Sequence, residues 1–66
     1  METDWCVRYN EDNSPMGYEL VGSDMRVHEF RVTGNGMIAE LMDRGVTRER
    51  AAELVVKAAQ DAGIPV

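Results

Sequence analysis

Thr47-Arg48-Glu49-Arg50-Ala51-Ala52-Glu53-Leu54-Val55-Val56-Lys57-Ala58-Ala59-Gln60-Asp61-Ala62 is the stretch that decides the fold. On a helical wheel at about 100° per residue, Leu54, Ala58, Ala51, Ala62, Val55, Ala59, Ala52 and Val56 fill one arc of about 200°. Glu49, Gln60, Glu53, Lys57, Arg50 and Asp61 fill the remainder without an apolar intruder. A surface helix needs an apolar stripe of only about 100°. The stretch therefore reads as a long amphipathic helix covered on two sides, by a sheet and by a second element. The Thr47 hydroxyl suits its N-cap, and Gly63 and Pro65 terminate it. Glu53–Lys57 and Lys57–Asp61 have the spacing of favourable i,i+4 pairs.

Upstream, Arg44-Gly45-Val46 closes another segment, with Gly45 suited to a left-handed backbone. That segment, Met37 to Asp43, has two readings. As a short helix it gathers Met37, Ile38, Leu41 and Met42 on one side, with Asn35 available as a cap. As a fourth strand it would follow an Asn35-Gly36 hairpin turn. Its residues are helix formers, which favours the helix. The first half of the chain reads as three strands. Thr3 to Tyr9 alternates, with Trp5, Val7 and Tyr9 on one face and Cys6 and Arg8 on the other. Asn10 to Gly17 is dense in turn formers, Tyr18 to Val21 is a short strand, and Gly22-Ser23-Asp24 offers a tight turn. Met25 to Val32 makes a third strand whose pattern slips from Met25 and Val27 to Phe30 and Val32, the mark of a bulge near His28-Glu29. Gly34-Asn35-Gly36 breaks the chain after it.

The expectation is one α+β domain over residues 1–66. It has a three-stranded antiparallel meander (β-β-β), a short helix or fourth strand, and a long C-terminal amphipathic helix packed on the sheet. Trp5, Val7, Tyr9, Tyr18, Leu20, Val27, Phe30, Val32, Ile38, Leu41 and Leu54 are the candidate core. At 66 residues such a core is near the lower limit for a fold unaided. Cys6 is the only cysteine, so disulfides add nothing, and with His28 it is the only soft ligand where structural zinc wants four. Oligomerisation is the remaining remedy, and the second cover has two candidates: the Met37–Met42 segment packing within the chain, or a second protomer in a homodimer through Ala52, Val56 and Ala59, at the far edge of the helical arc. The five methionines read as core filler.

The free cysteine, the lack of an apolar run of about 18 residues and the lack of a basic-then-apolar leader fit a reduced, cytoplasmic setting with no membrane partner. Met1 and the stop signal Gly63-Ile64-Pro65 fit a complete short gene product. The net charge is −5, and all of it sits early. Residues 1–24 carry six acids against Arg8 alone, whereas six acids and six bases balance thereafter. That distribution disfavours general affinity for nucleic acid; it reads first as solubility, and it permits an acidic face seeking a basic patch on a partner.

Catalytic chemistry is poorly supplied. Cys6 and His28 are the one conceivable nucleophile–base pair, and a semi-buried thiol beside a strand histidine is the better reading. No pair of acids has general acid–base spacing, and no phosphate-binding glycine pattern is present. The oxygen-rich Asn10–Ser14 loop lacks the order of acids that a calcium loop requires. No catalytic or metal-binding residue and no cofactor is expected.

Ile38 to Val55 resembles the helix-turn-helix of DNA-binding proteins: a short helix, a Gly-Val turn, a capping Thr, then a helix that opens with arginines. The resemblance implies Thr47, Arg48 and Arg50 as contacts to the major groove and phosphates. Leu41 stands where that family has a small residue, and the second helix is electrically neutral. Gly45-Val46-Thr47-Arg48 is also similar to the turn of ribbon-helix-helix repressors, with Met25 to Val32 as ribbon. The two helices together resemble the first two of a ubiquitin-associated domain, although no third follows. The leading expectation is a small, acidic, non-enzymatic binding module that acts as an adaptor or inhibitor of a protein partner and is dimeric. Small phage and mobile-element proteins often work this way. The alternative is a nucleic-acid-binding regulator using residues 37–55.

Overall fold

Three strands, β1 (Cys6–Asn10), β2 (Gly17–Val21) and β3 (Val27–Arg31), pair in chain order as an antiparallel meander, β1-β2-β3. Two helices follow, α1 (Gly34–Asp43) and α2 (Arg48–Asp61), and both pack on one face of the sheet, giving an α+β domain. The computed structural model describes residues 4–10 and 16–64. Thr3, the middle of the turn cluster at 11–15, Met1 and Pro65 lie outside them.

The register assigns each strand residue to a face. Val7 pairs with Leu20 and Tyr9 with Tyr18, and these point toward the helices, with the two tyrosine rings edge to face at 5.1 Å. Cys6 pairs with Val21 and Arg8 with Glu19 on the opposite, outer face. Leu20 pairs with Glu29, yet Val21 pairs with Val27, so His28 is an extra residue on β3. This is the bulge that the slipped pattern implies. It brings Val27 and Phe30 to one face, but that face is the outer one. Val27 is 50% and Val32 63% exposed, so neither belongs to the core as expected. Alternation says which residues share a face, not which face the helices cover. Glu29 and Arg31 take the inner face of β3, where Arg31 reaches Glu40 of α1.

The turn between β2 and β3 spans Gly22 to Met25, closed by a hydrogen bond from Met25 N to Gly22 O (3.0 Å). It is one residue longer than expected, Met25 carries a left-handed φ of 65°, and β3 begins at Val27. On the outer face, Gly17 lies beneath Phe30. A Cβ there would stand 2.7 Å from the ring's Cζ and 2.6 Å from the Arg31 carbonyl oxygen, so only glycine fits.

Residues 37–43 are helical, and α1 starts earlier than expected, because Gly34, Asn35 and Gly36 form its first turn instead of breaking the chain. Its cap is Thr33, not Asn35: the hydroxyl accepts from Gly36 N at 3.0 Å. Thr33 is extended, as a cap must be, whereas Asn35 is already inside the helix. Thr47 caps α2 in the same way, accepting from Arg50 N at 3.2 Å. Both helices also end alike. Val46 N donates to Leu41 O (3.0 Å) and Gly45 N to Met42 O (3.0 Å); Ile64 N donates to Ala59 O (2.9 Å) and Gly63 N to Gln60 O (3.0 Å). These are paired Schellman bonds, and Gly45 at φ 92° and Gly63 at φ 78° supply the left-handed residue each requires.

Leu20, Met37 and Leu41 are fully buried at the centre, with Val7, Val46, Ala51, Val55 and Ala58 around them. Each of the three large side chains contributes about 1.5–3 kcal/mol by leaving water. Met37 is core filler as expected, while Met16, Met25 and Met42 are exposed. The wide arc of α2 is covered within the chain by β1 on one side and α1 on the other. Lys57 pairs with Asp61 at 3.3 Å, whereas Glu53 pairs with Arg50 at 3.6 Å instead of with Lys57.

Candidate binding groove

β1 is an edge strand, and α2 crosses beside it. Between them opens a groove of about 460 Å³, within the size range of ligand sites. Val7 and Ala58, both buried, and half-buried Leu54 form its apolar base, and Trp5 and Tyr9 line it from the β1 side. Arg50, Lys57 and Asp61 line the α2 side. Their spacing, with Leu54 in the same series, follows one stripe of the helix at intervals of four, three and four residues. The Arg50 and Lys57 partners, Glu53 and Asp61, are themselves about 70% exposed. Such solvated pairs hold their cations weakly and leave them open to a better-placed anion.

A polar chain links β3, α1 and Trp5, a residue it shares with the groove. Glu40 splits its carboxylate between two arginines, Oε1 accepting from Arg31 Nη2 and Oε2 from Arg44 Nε, each at 2.7 Å. The Arg44 guanidinium lies over the Trp5 ring at 5.0 Å, and that ring meets His28 edge to face at 5.1 Å. His28 Nε2 in turn faces both Asp24 oxygens at 3.0 and 3.1 Å. That contact, followed by the hydrogen bond from Arg26 N, holds the Asp24 carboxyl below its ordinary value. Buried Trp5 Nε1 meets no acceptor among the described residues.

The two sheet edges differ. At β3, Phe30 N donates to the Glu29 carboxylate (3.3 Å), and Arg31 Nη1 donates to the Phe30 carbonyl (2.7 Å). The two side chains also pair with each other at 3.1 Å, and Arg31 first, then the Phe30 N–H, holds the Glu29 carboxyl below its usual range. The outward backbone of Phe30 is thus clasped by its own neighbours. On β1, the Cys6 thiol makes, among the described residues, only a long 3.9 Å contact to the Val7 carbonyl.

The residues singled out from the sequence are dispersed. Ala59 is buried inside the chain, Ala52 is half-buried and Val56 is 38% exposed, so of these three Val56 offers the most surface to a second copy. Thr47 spends its hydroxyl on the helix cap, Arg50 leans to Glu53 at the groove, and Arg48 is exposed. Cys6 lies on the outer face, whereas His28 packs on Trp5 at the helix side, so the two do not meet. Among the described residues no group of three His, Cys, Asp or Glu side chains converges, and no helix is long and apolar enough to cross a membrane. Sequence reasoning missed the groove. Its available signal was the stripe Arg50, Leu54, Lys57, Asp61 along one border of the apolar arc. No protein-family model, no curated protein sequence and no solved structure matches this chain.

Proposed function

We propose that this protein is a non-enzymatic binding module, an adaptor or inhibitor that works by occupying a protein partner through the groove between β1 and α2. The observation that carries this reading is the groove itself: an apolar base beside a sheet edge, with cations along one wall. Edge strands next to a side-chain groove are a recurring way to hold a polypeptide. The nucleic-acid reading draws less support. The exposed side of α2 sets Glu49, Glu53 and Asp61 against Arg48, Arg50 and Lys57, so it offers phosphates no net attraction.

Immobilised protein should enrich polypeptides from a displayed random library, and Leu54→Ala, which trims the groove base without burying a charge, should sharply reduce that enrichment in protein whose circular dichroism matches the parent's. Enrichment of nucleic acid alone from a parallel oligonucleotide pool at low salt would overturn the reading. Self-association is a separable part of it. A dimer held through the Val56 edge of α2 should dissociate in Val56→Glu, and a wild type that sediments as a monomer at all concentrations removes it.

A further inference from the structure

We infer that the occupant of the groove is an extended, acidic segment of a protein partner that adds to β1 as a fourth strand. This rests on the binding-module reading and specifies its ligand. The sheet has two free edges, and they are treated in opposite ways. An edge strand presents unpaired backbone groups that invite another chain, and proteins blunt such edges with bulges and charged side chains. β3 carries both devices, the His28 bulge and the Glu29–Arg31 clasp on the Phe30 backbone. Arg31 is anchored in that position by Glu40 at 2.7 Å.

β1 carries neither. It pairs without interruption along Cys6–Asn10 with β2, and across Cys6–Tyr9 its far side meets, among the described residues, no clasping side chain beyond the long thiol contact. A strand laid there would send alternate side chains toward the helices, into the space above Val7, Leu54 and Ala58. The α2 wall at that level offers Arg50 and Lys57, with Asp61 the one acid. Both cations pair only with exposed acids, Glu53 and Asp61, so in a chain of net charge −5 this wall offers an incoming carboxylate two weakly held cations. Acidic side chains flanking an apolar one match it, whereas a basic peptide would find its attraction elsewhere on the molecule.

The test uses the full chain and peptides selected on it from a random library. Selected sequences should alternate apolar with acidic residues. On binding, backbone amides within Cys6–Tyr9 should gain hydrogen-exchange protection while those of β3 stay unchanged. The exposed double variant Arg50→Glu/Lys57→Glu should bind about tenfold more weakly, the scale of two solvated charge contacts. Peptides that bind through Leu54 without protecting β1, or that keep their affinity for the charge-reversed variant, overturn this inference while leaving the binding-module reading intact. Absence of any selected peptide overturns both. Protection of β1 that appears in the free protein on raising its concentration would assign the edge to a second copy and also overturn it.

Discussion

Met25 holds a flexible side chain, 81% exposed, on a left-handed backbone at φ 65°. Residues with a Cβ pay for that conformation and glycine does not. Met25→Gly should therefore raise the unfolding free energy, by about 1 kcal/mol, in urea denaturation. Gly17→Ala should do the reverse, because its methyl would meet both the Phe30 ring and the Arg31 carbonyl; overpacking of this kind costs about 1–3 kcal/mol. Asp24 gives a third residue-scale outcome. Its folded carboxyl titrates below the ordinary 3.8, so the unfolded chain binds the proton more readily. The stabilisation is present above that value and is lost as pH falls through the lower, folded one. Asp24→Asn should flatten the stability-versus-pH curve below about pH 4.

At the scale of elements, the two helices are delimited by the same local chemistry: a threonine cap, a glycine in the left-handed region and paired Schellman bonds. Thr33→Ala and Thr47→Ala should each cost about 1 kcal/mol in chemical denaturation. Such chemistry is readable from sequence because it needs no distant partner, which is why Gly45, Thr47 and the bulge at His28 stand where the pattern implies. Thr33 and Asn35 are both good caps by type, and choosing between them requires knowing where β3 ends. Among strands, the clasp on β3 has its own consequence. Glu29→Thr combined with Arg31→Thr frees the Phe30 backbone and should make the sedimentation coefficient rise with concentration more steeply than in the parent.

For the whole molecule, the order of elements and the helical layer over the meander were legible, because hydrophobic period and turn chemistry carry both. The facing of β3 was not. Val27, Phe30 and Val32 look like core residues until Arg31 is seen reaching Glu40, a contact that no local pattern announces. The groove was hidden for a related reason: it exists only where the first strand meets the last helix. That arrangement carries a consequence in time. The meander and the helical hairpin are each made of sequence neighbours and can form locally, but contact between β1 and α2 closes most of the chain into one loop and pays the largest closure entropy. The groove is therefore assembled last. A nascent or partly unfolded chain has no such surface, and a ligand seated there recognises only molecules that have finished folding.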